Sequence, residues 1–415
     1  MSDLTRGARL YKVSPGPGWP LWLICILGLA ALGLINLAVQ VLHDFAATNA
    51  EFARDPVGGD LRLIWAAVHL IYQGHAEQIS DGVAIAQATG QMQKTQPNFY
   101  PPSFLMLVWP VGGLDFPVLA RMHWVLSTSL FFWASVLAAT RERSGLRLSQ
   151  VLVFTVLSAG SWFSSLFGQV SIYIAVMWML AYRYYEHPMV SGLLVGLASV
   201  KPHLGVLVPG LWAYQRQWRA FAAAAAITLL LLVLPALLWG WQIYMTYLQA
   251  VPHLWQRVSL FAVGDQNSPM SLVAALHRLQ APPLVSVLVY LAYVALMLGL
   301  TARLCGRVTD RATQFAFLPL AGLFILPQWY PYDLVLIHLP LLVMLKSLIQ
   351  PAAGWAARLV WGLFVILLPL AIDLNVLCGL SPLLVLAPLL LWLAPTIVLS
   401  EHESISLSEK ELKAI

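Results

Sequence analysis

The sequence predicts an all-α, polytopic membrane protein of about twelve membrane segments, and three observations carry that expectation. Hydrophobic residues make up 60% of the 415, charged residues only 10%, and the mean hydropathy is +0.77. A soluble domain of this length would lack the surface charge that keeps it in solution. Apolar runs near the roughly 20 residues that cross a bilayer as a helix recur along the whole chain. Basic residues then fall in alternate connections, as the positive-inside rule requires.

The first run, about 20–42, follows Arg6, Arg9 and Lys12. It exceeds the apolar core of about 7–15 residues in a cleaved signal peptide, and reads as an uncleaved anchor. Further runs lie near 101–140, 148–167, 170–185, 189–200, 203–214, 218–238, 284–303, 312–327, 331–349, 355–373 and 376–399. With a cytoplasmic N-terminus, inward connections carry Arg141, Arg143 and Arg147, Arg183, Arg216 and Arg219, Arg303, Arg307 and Arg311, and Lys346 and Arg358. Residues 1–400 therefore form a single integral membrane domain with two long outer loops, 43–99 and 239–283. Residues 401–415 form a cytoplasmic tail, so both termini face the cytoplasm of a cell inner (plasma) membrane.

Two stretches do not fit simple spans. A helix over 101–140 would be about 60 Å long, twice the hydrocarbon thickness. Pro110 and "GGLDFP" break it, leaving 101–113 interfacial or re-entrant before a span at 117–140. The halves of 189–214 meet at Lys201-Pro202 and read as short helices or a re-entrant hairpin.

Several function classes fall away. No loop holds a dense basic cluster, so nucleic acid is not a partner. Cys25, Cys305 and Cys378 are odd in number and form no CxxC, which indicates neither a disulfide framework nor a zinc site. No cluster has metal-ligand spacing, so no metal and no cofactor is expected. The polar residues instead collect at the outer side: 43–99, "GQVS" at 168–171, Lys201, "GDQNS" at 264–268, "QWYPYD" at 328–333 and "DLN" at 373–375. A channel places polar groups along a path through several helices. A polar face on one side fits an enzyme acting at the outer leaflet.

The first outer loop offers carboxylates. In "GGDLRLIWAAVHLIYQG", Asp60 occupies a helix N-cap position ahead of a periodic apolar face, Leu61, Ile64, Trp65, Val68, Ile71 and Tyr72, with Gly74 as stop. An interfacial amphipathic helix explains that pattern by itself; a general base explains it as well. Asp44, Asp55 and Glu51 are the other candidates.

An acidic residue soon after the first span, then "NFYPPSFLMLVWPVGGL" (98–114), "FGQVSIYIAVMWMLAYRYY" (167–185), "GLLVGLASVKPHLGVLVPGLW" (192–212) and "DQNSPMSL" (265–272), resembles glycosyltransferase family 87. That family belongs to the GT-C superfamily of integral membrane transferases, so the resemblance implies a GT-C-type helix bundle. It also implies a polyprenyl-phosphate sugar as donor, inversion at the sugar, and an extracytoplasmic site whose base is an acidic residue of the first outer loop. Mannose is the best-known donor sugar of that family. The acceptor would be a lipid or glycan, with membrane lipids as surroundings. The residues contain no DxD motif and no Rossmann glycine pattern, which leaves cytosolic nucleotide-sugar chemistry without support.

Such a transfer needs a base for the acceptor hydroxyl, positive or donor groups for the departing phosphate, and flat surface for the sugar. Asp60 is the first choice for the base. Lys201, His203 and His338 are the candidates for the phosphate, with a snorkelling lysine and structural histidines as the plain alternatives. His338 lies about one and a half α-turns past Asp333, which would put both on one face. Gln169, Tyr100, Asn267, Gln266, Trp329, Tyr330, Tyr332 and Asp333 are candidates for sugar or acceptor contact. An ordinary turn explains Gln169 equally well, Tyr100-Pro101-Pro102 sets an extended entry to the next element, and an interfacial aromatic belt explains the tryptophan and tyrosines.

Two rival classes remain. A transporter or lipid-linked-sugar flippase also has many spans, but no clear repeat relates the two halves. The other is an acyl- or phospho-transferase; an acyltransferase of that kind would bring a catalytic histidine deep in a helix pair, and His338 alone does not make that case.

Overall fold

The computed structural model describes residues 19–47, 59–90, 98, 100–141, 146–260, 269–350, 354–378 and 380–414. All regular structure among them is helical. The elements are α1 (Leu21–Ala47), α2 (Gly59–Tyr72), α3 (Gly82–Thr89), α4 (Pro102–Val108), α5 (Phe116–Ala139), α6 (Leu148–Val156), α7 (Ala159–Leu166), α8 (Ser171–Arg183), α9 (Pro188–Ala198) and α10 (Val208–Tyr214). They continue with α11 (Trp218–Trp239), α12 (Gln242–Leu260), α13 (Leu272–Arg278), α14 (Pro283–Arg307), α15 (Arg311–Ala316), α16 (Leu318–Phe324), α17 (His338–Leu348), α18 (Trp355–Leu367), α19 (Ala371–Cys378) and α20 (Leu383–Ala414). Tight 3₁₀ turns link some of them, notably Pro202–Gly205 and Pro331–Ile337.

Among the described residues, four helical stretches are long and apolar enough to cross a bilayer: Phe116–Ala139, Trp218–Trp239, Pro283–Arg307 and Pro331–Leu348. The pair α6 and α7, bent by 48°, raises the number to as many as five. Six further apolar helices run 10–17 residues. Their environments differ in a way that marks the lipid boundary. In Pro331–Leu348, 83% of the residues are buried, whereas in an apolar 18-residue stretch of Pro283–Arg307 only 6% are, and that helix exposes Leu284, Leu288 and Leu291. A continuous exposed apolar face of that kind is stable only against lipid or another apolar partner.

Both interruptions read from the sequence are present. Pro101 is extended, Pro102 opens α4, and the chain turns through Gly112 and Gly113 before α5. α9 ends at Ala198, Lys201 precedes the Pro202–Gly205 turn, and α10 follows.

Three glycine contacts set helix spacing. In α9 a Cβ at Gly192 would lie 2.4 Å from the Ala220 carbonyl oxygen, and one at Gly196 would lie 2.7 Å from Ile227 Cβ. The G-x-x-x-G spacing thus lets α9 rest on α11, the close approach that small residues allow between apolar helices. In α7 a Cβ at Gly160 would lie 2.2 Å from the Val335 nitrogen. The backbone of the Pro331–Ile337 turn therefore lies directly on α7.

The tail read as starting at residue 401 is continuous with α20, which runs to Ala414.

Candidate active site

α2 is an amphipathic helix, as its periodicity predicts. It buries Leu61, Ile64, Val68 and Ile71, each such side chain contributing roughly 1.5–3 kcal/mol. Trp65 Nε1 donates to the Leu114 carbonyl at 2.8 Å, and His69 Nδ1 lies 3.2 Å from the Gly112 carbonyl oxygen. The helix is thereby fixed to the turn between α4 and α5. Gly74 closes it with φ +88°. Tyr72, read as part of the apolar face, is exposed. Asp60 lies in the first turn of α2 rather than ahead of it, where the helix N-terminus favours negative charge.

The Asp60 carboxylate meets "GQVS". Gly168 is left-handed at φ +65°, which turns the chain sharply between α7 and α8. Ser164 holds the turn from below: Gln169 N donates to its carbonyl at 2.7 Å, and Ile172 N donates to its hydroxyl at 3.1 Å. Gln169, itself buried, donates from Nε2 to Asp60 Oδ2. Tyr100 O–H donates to Gln169 Oε1 at 2.7 Å, which fixes the orientation of the amide. Burial first, then the Asp60 and Asp333 carboxylates, hold the Tyr100 phenol well above its ordinary pKa, so it remains a donor. Desolvation raises the Asp60 pKa; the Gln169 hydrogen bond and the Lys201 charge lower it in part, and Asp333 raises it.

The second half of the cluster is ionic. Lys201 Nζ lies 2.6 Å from Asp333 Oδ1 and donates to Ser171 Oγ at 2.8 Å; Ser171 in turn donates to Asp333 Oδ1 at 2.7 Å. Tyr330 N donates to Asp333 Oδ2 at 3.1 Å. The ammonium also stands 4.9 Å from the Tyr332 ring centre, within cation–π range. Tyr332 stacks on Tyr330 with ring centres 5.2 Å apart, and both are half-buried. Asp333 is buried and Lys201 nearly so, an arrangement stable only because the two charges meet and are hydrogen-bonded.

The structure thus brings together Asp60, Tyr100, Gln169, Lys201, Tyr330, Tyr332 and Asp333. His203 is exposed on the adjoining turn, close enough to feel the Lys201 and Asp333 charges. His338 stands apart. It is buried, its Nε2 lies 3.2 Å from Ser135 Oγ, and its ring packs on Phe131 and Phe154. The segment between Asp333 and His338 winds as 3₁₀ rather than α, which turns the two side chains toward different neighbours. Trp329 is fully buried with its ring edge-on to Phe324. Gln266, Asn267, Asp55 and Glu51 lie outside the described residues, as does the side chain of Asp44. Ser171 is a site residue that the sequence reading does not single out; its signal is a hydroxyl two residues after Gln169.

α8 orients the cluster within the bundle. Ser171 opens this helix at the site and Arg183 closes it roughly 20 Å away. At that far end the Tyr182 carbonyl accepts from Arg141 Nη1 at 2.6 Å, and Arg141 pairs with Glu186 at 2.9 Å. Among the described residues, no group of three or more metal-ligating side chains is assembled.

The sequence pattern of glycosyltransferase family 87 matches residues 98–328. The chain belongs to glycosyltransferase family 87. It is accordingly a membrane glycosyltransferase. The family-87 match takes in Tyr100, Gln169, Ser171 and Lys201, and ends just short of the Trp329–Asp333 segment; Asp60 precedes it. No curated protein and no solved structure matches the chain.

Proposed function

We propose that this family-87 glycosyltransferase moves a sugar from a polyprenyl-phosphate donor to a hydroxyl of a lipid or glycan acceptor, with inversion, at the extracytoplasmic face of the inner membrane. The observation that carries the reading is the gathering of the Asp60 carboxylate, held by Gln169, and the Lys201–Asp333 ion pair in one polar cluster.

Asp60 accepts the acceptor's hydroxyl proton as general base. The acceptor oxygen attacks the anomeric carbon from the face opposite the phosphate, and the anomeric C–O bond breaks with its electron pair leaving on the phosphate oxygen. Lys201 stabilises the charge that develops there. Its ammonium carries three N–H groups and gives two to Asp333 and Ser171, so a phosphate oxygen can take the third without disrupting the pair. Asp60 then passes its proton to water. Tyr330 and Tyr332 supply flat surface for the sugar, with His203 at the rim as a further hydrogen-bonding group, and mannose is the sugar to try first. The chemistry needs no metal or cofactor. The remaining segments of the expected twelve would come from the shorter apolar helices, with both termini cytoplasmic.

The test is transfer by the purified protein in lipid nanodiscs, with polyprenyl-phosphate mannose and other polyprenyl-phosphate hexoses as donors and cell-envelope lipid extract as acceptor. Labelled sugar in an extract lipid or glycan supports the proposal. No transfer from any donor, with flux of the lipid-linked sugar across proteoliposomes, would favour a flippase instead. Labelling of a Gln73→Cys variant in a background lacking Cys25, Cys305 and Cys378 reports the side: reaction with an impermeant reagent from outside is expected, and reaction only after permeabilisation rejects the extracytoplasmic site.

A further inference from the structure

Gln169 can do one of two things at this site. It can touch the sugar, or it can hold the base. Both ends of its amide are engaged within the protein: Nε2 donates to Asp60 Oδ2, and Oε1 accepts from Tyr100 O–H at 2.7 Å. The side chain is buried, and the turn that carries it is pinned by Ser164 and by the left-handed Gly168. An amide is symmetric in shape but not in hydrogen bonding. An ionised carboxylate only accepts, so the amide presents N–H to Asp60, and the Tyr100 hydroxyl holds the oxygen that this orientation leaves on the other side.

We infer that Gln169 and Tyr100 are positioning residues that hold one oxygen of the Asp60 carboxylate and leave the other, Oδ1, as the atom that receives the acceptor's proton. This deepens the proposed function and rests on Asp60 being the base. Two effects follow. First, the carboxylate is fixed in rotation, so its open oxygen faces one direction; misplacement of a reacting group by about 1 Å can reduce rate on the order of 100-fold. Second, an N–H directed at the carboxylate favours its ionised form, opposing the desolvation that otherwise keeps a proton on it. Removing that donor should both slow the chemical step and move the ionisation of the base upward.

Three variants and one control test this with polyprenyl-phosphate mannose, or whichever polyprenyl-phosphate hexose proves active, as donor. Gln169→Leu removes both amide ends at similar volume. Gln169→Glu at high pH replaces the donor by a carboxylate that repels Asp60. Tyr100→Phe deletes one hydroxyl and keeps the ring on Phe104, so it tests the inference even if position 169 does not tolerate change. The expected result is a kcat lower by about 10- to 100-fold with donor KM within about threefold, and an acid limb of kcat/KM displaced to higher pH in Gln169→Leu and, less so, in Tyr100→Phe. Gln169→Glu should be the slowest. A structural role alone would reduce the amount of folded enzyme without moving the acid limb. An unmoved limb in both Gln169→Leu and Tyr100→Phe overturns the inference, as does a raised KM at unchanged kcat, which would make Gln169 a sugar contact. The control separates the two levels. If Asp60→Asn is inactive and the limb still does not move, only the positioning role fails; if Asp60→Asn is active, the assignment of the base fails with it.

Discussion

Gln169 and Ser171 lie on one turn and hold opposite halves of the site: the amide of the first is bonded to Asp60, and the hydroxyl of the second to Asp333. The proposed base and the counter-ion of Lys201 are therefore referenced to the same short piece of backbone. Their separation is set by the internal geometry of that turn, and not by how α2 and the Pro331–Ile337 turn happen to settle in the bundle. Four predictions follow from this construction.

Replacing Asp60 by Asn should abolish transfer without unfolding the helix. Asn keeps an oxygen that can accept from Gln169 Nε2, but it cannot take a proton from an alcohol. Loss of general-base catalysis costs on the order of 10²–10⁴ in rate. Because burial disfavours the ionised carboxylate, the neutral side chain should leave the thermal midpoint in detergent unchanged or slightly raised. Initial rates and melting curves on the same preparation check both halves.

The pH profile should carry the signature of a desolvated base. As the proposed base, Asp60 works only when deprotonated, and burial raises its pKa above the ordinary carboxylate value of about 3.9. Activity should therefore fall as pH drops through that raised value, at a higher pH than the one at which exposed carboxylates take up their protons. The same sign applies to stability. A raised folded pKa means the folded state holds the proton more tightly, so this group destabilises the fold as pH rises past its unfolded value. In kcat/KM against pH, an acid limb at or below the ordinary carboxylate range would contradict the assignment.

The Lys201–Asp333 pair should behave as one unit. Lys201→Met leaves a buried carboxylate without its cation, and Asp333→Leu leaves a buried cation without its carboxylate; each should cost about 3–5 kcal/mol. The double variant should cost clearly less than the two together, because the isolated charge is then gone. Denaturation in a double-mutant cycle measures the coupling. Simple additivity would show that the pair contributes no specific interaction. Activity should be lost in all three, since each lacks the ammonium or its anchor.

Gly160 should tolerate no side chain. An added Cβ would meet backbone, Val335 N at 2.2 Å and Leu334 C at 2.4 Å, and backbone does not rotate away. Gly160→Ala should displace the turn that carries Asp333, cost at least about 1–3 kcal/mol and reduce activity. Gly299→Ala is the matched comparison: nothing lies within 4 Å of its Cβ position in α14, and alanine is the better helix former by about 1 kcal/mol. Equal stability of the two variants, read as melting temperature, would refute the close-contact argument.

Much of the architecture was legible because it follows from local rules. Pro101-Pro102, the glycines at 112–113 and Lys201-Pro202 break helices through their own backbone preferences, and the apolar period of α2 shows in its sequence. The candidate site was legible as a list of polar residues that an apolar bundle has no reason to hold. What the sequence did not display was who pairs with whom. Asp333 read as a sugar contact and is a counter-ion; Gln169 read as a turn or sugar contact and holds the carboxylate of α2. Neither partner lies within reach of any helical period. His338 was set on the face of Asp333 by α-helical arithmetic, and the 3₁₀ winding of Pro331–Ile337 undid it. Segment counting from hydropathy also overstates regularity, because several apolar runs fold as short or bent helices rather than as uniform rods.

The contacts that complete the cluster join positions 109, 132 and 162 apart in the chain. During synthesis Asp60 is made long before Asp333 leaves the ribosome, and until then Lys201 lacks its ion-pair partner. Nascent or truncated chains that stop before that point lack a finished candidate site. Competence therefore arrives late and all at once, when the last turn is laid across α7.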